Sequence, residues 1–196
     1  LLKHGADVNR CGENGNTPLA TVLRRGGSAD AMRFLLKNGA DPNVLVNKKT
    51  PLFAYALLEA KSAKKALLLK KFRAKVDGRD SNGRTALIRE LENGGNADTV
   101  AFLIKNAADV NARSADGRTP LITAIEAKAS TALLNKLIAA GAKVDAADAK
   151  GRTALIRELE NGGKAGTVAF LIKNGADVNA RSADRQTPLL AAVKAK

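Results

Sequence analysis

The sequence predicts an all-α solenoid of stacked helix-turn-helix units joined by extended, turn-like fingers. Three observations carry this. Residues 85–121 recur as residues 153–189, a shift of 68, with differences only at 96/164, 98/166, 107/175, 117/185 and 118/186. A shorter unit lies within: the anchor Thr-(Pro/Ala)-Leu begins at Thr17, Thr50, Thr85, Thr119, Thr153 and Thr187, in steps of 33, 35, 34, 34 and 34. Inside each unit, apolar residues fall at helical spacing in two short runs separated by a polar break. A period near 33 residues means supersecondary units that cannot bury their apolar faces alone and must stack.

The unit 119–151 shows the elements in order. Thr119 offers a side-chain oxygen to a free N–H of the first turn, and Pro120 at the first helical position loses no hydrogen bond. Leu121, Ile122 and Ile125 make the first stripe. Lys128-Ala129-Ser130 breaks it, and Leu133, Leu134, Leu137 and Ile138 make the second. Gly141 supplies the left-handed residue that ends a helix. Residues 142–145 read as extended, and 148–151 as a polar turn before the next Thr.

These motifs resemble the ankyrin repeat. The resemblance rests on G-A-D-V-N at 5–9 and 175–179, G-A-D-P-N at 39–43, A-A-D-V-N at 107–111 and G-A-K-V-D at 141–145. It rests equally on N-G-N-T-P-L at 14–19, D-G-R-T-P-L at 116–121 and K-G-R-T-A-L at 150–155. It covers essentially the whole chain, read as one domain over 1–196. It implies a curved stack whose fingers and first helices line a concave face, and a protein that binds other proteins without catalysis.

The chain departs from the family pattern at several places. The family's His after Thr-Pro-Leu is replaced by Ala20, Phe53, Ile88, Ile122, Ile156 and Leu190, so apolar packing substitutes for a Thr–His hydrogen bond. Glu90 and Glu158 stand where the family has a small residue, and are expected to form partly exposed ion pairs with arginine at a repeat seam. Arg73 takes a glycine position, where a left-handed backbone costs roughly 1–2 kcal/mol. The finger before Thr50 is one residue short and the unit from Thr50 one residue long, so 44–50 and 73–78 are the least regular segments.

The units also alternate, with Gly-Gly breaks at 26–27, 94–95 and 162–163, and Glu-Ala-Lys at 59–61 and 126–128. The chain opens at Leu1 inside a second helix and stops after a first helix over 187–196, which reads as part of a longer array. Apolar residues make up 45% of the chain and aromatics 3%, without Trp, so the core is Ala, Leu, Ile and Val. One cysteine, Cys11, excludes an intrachain disulfide and fits a reducing, cytoplasmic setting.

The net charge is +14 and the isoelectric point near 10.2, which favours polyanionic partners. In a stack, residues one period apart form columns about 10 Å apart between neighbours. One column reads Asn16, Lys49, Arg84, Arg118, Arg152, Gln186; another reads Cys11, Arg79, Arg113, Ala147, Arg181. Arg89 and Arg157 add charge on first helices. The resulting candidate partner-binding set is Arg79, Arg84, Arg89, Arg113, Arg118, Arg152, Arg157 and Arg181. Arginine suits this because its planar fork grips a carboxylate through two hydrogen bonds.

The leading expectation is a monomeric, non-enzymatic scaffold that takes an acidic protein segment on its concave, finger-lined face. The competing bland reading pairs the finger arginines with Asp80, Asp116, Asp148 and Asp184. A second functional reading is nucleic-acid binding by the same strip, disfavoured by column spacing and by scarce aromatics. A third is a structural spacer or a rebuilt repeat stack.

Chemistry-bearing constellations are missing. His4 stands alone in a truncated end repeat, Cys11 has no partner for nucleophilic work, and no metal spacing occurs. Residues 162–167 lack the spacing and preceding strand of a phosphate loop and read as a turn between helices. No cofactor is expected. Lys37, Lys70, Lys71, Lys105 and Lys173 close second helices, where the dipole favours them.

Overall fold

A computed structural model of the chain describes residues 1–195; Lys196, the end of the expected last helix, lies outside them. The residues gather into two compact units, Leu1–Ser81 and from Asn82 onward.

In the first unit a 3-10 turn, Leu2–His4, stands where a second helix is expected, and Gly5 ends it at φ 86°. Helices α1 (Pro18–Arg24) and α2 (Ala29–Lys37) form the first full pair. Strands β1 (Leu45–Val46) and β2 (Thr50–Pro51) pair antiparallel, Val46 opposite Thr50. Helix α3 (Leu52–Ala54) runs into a π-helical turn, Tyr55–Glu59, before α4 (Ala63–Lys71). The second unit holds α5 (Ala86–Glu92), α6 (Ala97–Lys105), α7 (Pro120–Glu126), α8 (Thr131–Ala139), α9 (Ala154–Glu160), α10 (Ala165–Lys173) and α11 (Pro188–Lys194). Its first helices α5, α7, α9 and α11 pack in that order, each of the first three also packing on its own second helix.

The anchor threonines start these helices as read. The side chains of Thr17, Thr85, Thr119, Thr153 and Thr187 accept from the amide three residues on, at 3.3–3.4 Å. Ser28, Ser62 and Ser130 cap second helices in the same way. Gly141 ends α8 at φ 94°. Five of the six residues in place of the family histidine fill the core: Ala20, Phe53, Ile88, Ile122 and Ile156 are buried, whereas Leu190, on the last helix described, is 49% exposed.

Thr50 is the exception, and its cause is an indel pair. The short finger closes as a hairpin on Asn47 and Lys48, both left-handed at φ 52° and 58°, with Lys49 N–H donating to Val46 O at 3.0 Å. Thr50 is therefore a strand residue and Pro51 precedes the helix without a side-chain cap. The extra residue downstream is absorbed by the π turn, where Ala60 N–H reaches Tyr55 O at 2.8 Å. Leu52, Phe53, Ala56 and Leu57 stay buried despite both changes.

Two devices lock neighbouring repeats. Asn111 donates to Gly141 O at 2.9 Å and accepts from Lys143 N–H at 2.8 Å. Asn9 does the same with Gly39 and Asp41, and Asn43 with Arg73 and Lys75. The fingers are linked by single backbone bonds, Ala115 N–H to Asn82 O at 2.9 Å, Ala149 to Asp116 at 3.1 Å and Ala183 to Lys150 at 2.8 Å. That approach demands glycine: a Cβ on Gly117 would fall 2.5 Å from Ala149 N, and one on Gly83 2.7 Å from Ala115 N.

Glu90 and Glu158 correct the expectation of ion pairs at a seam. Each turns toward the start of its own second helix and accepts a backbone N–H, from Asn96 at 2.7 Å and Lys164 at 2.8 Å. A carboxylate there satisfies an orphan donor at the positive end of a helix.

Arg73 and Ala107 stand where the other loops have glycine, and both are left-handed, at φ 68° and 66°. Arg73→Gly and Ala107→Gly are each expected to raise the unfolding free energy by about 1 kcal/mol. Urea melts check this; destabilisation by either change would contradict it.

Candidate partner-binding face

The eight predicted arginines divide by environment. Arg79, in the first unit, and Arg113 and Arg181, in the second, are exposed at fingertips. Arg84, Arg89, Arg118, Arg152 and Arg157 are half-buried. Arg113 also donates to Ala147 O of the next finger at 2.5 Å.

Four of the half-buried arginines are joined into one chain of ion pairs. Arg84 Nη1 lies 2.9 Å from Glu92 Oε2, and Glu92 Oε1 lies 3.5 Å from Arg118 Nη2. Arg118 Nη1 lies 2.9 Å from Glu126 Oε2, and the other Glu126 oxygen meets Arg157. Glu160 Oε2 takes Arg157 at 3.2 Å and Arg152 at 3.6 Å, and Arg152 closes on Asp148 at 2.7 Å. Arg118 Nε also lies 2.6 Å from Asp116.

The local fold explains why these charges meet. Glu92, Glu126 and Glu160 are the last residues of α5, α7 and α9, where a carboxylate faces the negative end of the helix dipole. An arginine from the finger eight residues upstream reaches along the helix and offsets that repulsion. Because both residue types recur with the repeat, Glu92 also meets Arg118 and Glu126 also meets Arg157 of the next unit, whereas Glu160 adds Arg157 of its own helix. The bland reading thus holds for Asp116 and Asp148. The strip predicted as free positive charge is, at Arg84, Arg118, Arg152 and Arg157, a ladder of compensated charge. The signal missed was the Glu column, which repeats at the same period as the Arg column.

Asp148 deserves its place as the anchor of Arg152. It is buried and accepts Lys150 N–H at 2.8 Å, Arg152 N–H at 3.0 Å and the guanidinium Nε at 2.9 Å. Asp116, Arg118, Asp148, Lys150, Arg152 and Arg157 line a groove of about 380 Å³ on the finger side. Burial opposes ionisation of Asp116, but the Ser114 hydroxyl and the Arg118 guanidinium together outweigh it and hold the carboxyl below its ordinary 3.8. The Ser182 hydroxyl lowers Asp184 likewise. Among the described residues no group of His, Cys, Asp and Glu could hold a metal ion, and no helix is long and apolar enough to cross a membrane.

A stack of capped helix pairs with an interlocked finger face defines a repeat protein of the interaction class. The family model for ankyrin repeats (3 copies) matches residues 24–114 and 57–148. The chain belongs to the ankyrin repeat family, whose repeats mediate protein–protein interaction and whose members are typically non-enzymatic scaffolds. Among solved structures it is similar to the ankyrin repeat domain of Bcl-3, which is described as a unique member of the IkappaB protein family. The two are 26% identical over 97% of this chain and 83% of that one, with a TM-score of 0.82. No curated protein matches the sequence.

Two expected outcomes follow from the ladder. Glu126→Gln removes the carboxylate shared by Arg118 and Arg157; these pairs are 16–30% exposed, so the loss of stability is about 1 kcal/mol, read by thermal melting. A variant as stable as the parent would show that the pairs contribute nothing. Asp116, with its lowered folded pKa, contributes stability that is complete above 3.8 and is lost as pH falls through the folded value. Ser114→Ala should raise the Asp116 midpoint in a carboxyl NMR titration, and an unmoved midpoint would assign the effect elsewhere.

Proposed function

We propose that this protein is an interaction scaffold that binds an acidic segment of another protein on its finger-lined face. The observation that carries the reading is the division of the arginines. The ladder arginines Arg84, Arg118, Arg152 and Arg157 pair with carboxylates of the chain itself. In the second unit Arg113 and Arg181 reach solvent at the fingertips, with Lys150 on the finger between them. A net charge of +14 adds long-range attraction for an acidic partner. Fingertip cations speed encounter and select sign, while the paired arginines of the ladder remain able to exchange an internal carboxylate for one from the partner.

The test uses a labelled oligoglutamate peptide and fluorescence anisotropy at low salt. Replacing Arg113 and Arg181 with Ala together should weaken capture about tenfold and flatten its salt dependence, while melting falls only by the small amount that loss of the Arg113–Ala147 bond costs. Arg118→Ala should lower both capture and melting temperature, because it breaks the ladder. Full capture by the Arg113/Arg181 double variant would reject the reading.

A further inference from the structure

The charge columns leave one feature of the first unit unused. Pro42, Leu45, Pro51, Leu52 and Phe53 wall a groove of about 170 Å³, with Lys75 and Arg79 at its rim. It exists because of the shortened finger. Leu45 stands where regular fingers carry Arg113 or Arg181, and the hairpin holds it opposite Pro51, with Leu45 36% exposed. The groove is built rather than incidental. Asn43 pins the rim by bonding Arg73 O and Lys75 N–H at 3.4 and 2.8 Å. Gly78 lets that loop close on Pro51, since a Cβ there would come within 3.0 Å of the proline ring.

The volume suits one aliphatic side chain, and apart from Asn43 and the rim cations its side-chain walls are apolar. The surroundings choose its neighbours: residues 1–81 hold 16 Lys and Arg against 7 Asp and Glu. We propose that this groove receives a single aliphatic anchor from an acidic peptide segment, with carboxylates beside the anchor meeting Lys75 and Arg79. The inference rests on the reading of an acidic partner and adds what that reading lacks, an apolar contact that sets register. A charged fingertip face alone attracts any acidic chain; one seated side chain makes a particular sequence bind best.

The experiment uses the whole chain and two labelled peptides of Asp and Glu, one with a central Leu and one with a central Ser. The native protein should bind the Leu peptide about tenfold more tightly, the contribution of one largely buried aliphatic side chain. Leu45→Gln should abolish that preference while leaving the Ser peptide's affinity and the melting profile as they were. Lys75→Gln with Arg79→Gln should weaken both peptides and keep the preference. Equal affinity of the native protein for the two peptides overturns the groove and leaves the acidic-partner reading standing. Binding of neither overturns both. A preference that survives Leu45→Gln overturns the placement.

Discussion

Register between successive repeats is the constraint on which the other features hang. A helix pair here is too short to hide its apolar stripe by itself, so Leu87, Ile88 and Leu91 become buried only when the next first helix lies alongside. The backbone enforces that position at two heights. Asparagine side chains bridge successive loops on one side of the second helices, and finger backbones touch across glycine on the other. A repeat displaced by one residue would lose both sets of bonds at once.

Electrostatics then inherits the register. Any charged residue that recurs once per repeat is placed near its own copies, and like charges stacked at that spacing repel. The second unit resolves this by carrying two columns of opposite sign whose members interleave, so Glu92, Glu126 and Glu160 each face arginine from more than one direction. The arrangement stabilises carboxylates at helix ends that would otherwise be unfavourable.

Much of the fold was legible because each signal had one physical meaning. Five of the six threonine anchors are helix caps, and the apolar replacements of the family histidine are core everywhere except at Leu190. The indel around Thr50 was visible as a count, but a count does not say how a backbone absorbs a residue. A hairpin with two left-handed residues and a π turn are both low-energy answers, and tertiary burial of Phe53 chose them. The arginine columns were legible and their partners were not, because a cation column was followed without asking which anion shared its period. Glu90 and Glu158 misled for a related reason. A place at a repeat seam suggested an arginine partner, whereas the group each carboxylate meets is a backbone amide six residues ahead.

The loop clamps carry a consequence for ageing. Asn111 uses its amide nitrogen and its oxygen on different neighbours, and Asp145, at the equivalent place one repeat later, has only oxygens. Asp145 keeps the acceptor half of the clamp, taking Asp177 N–H at 2.9 Å, and the seam beneath it still packs. The chain therefore already contains, as an encoded residue, the side chain that hydrolysis of an asparagine amide would leave. Slow chemical conversion at Asn9, Asn43 or Asn111 would remove one bond and spare the other, so the array loosens by increments instead of unzipping at its first damaged joint.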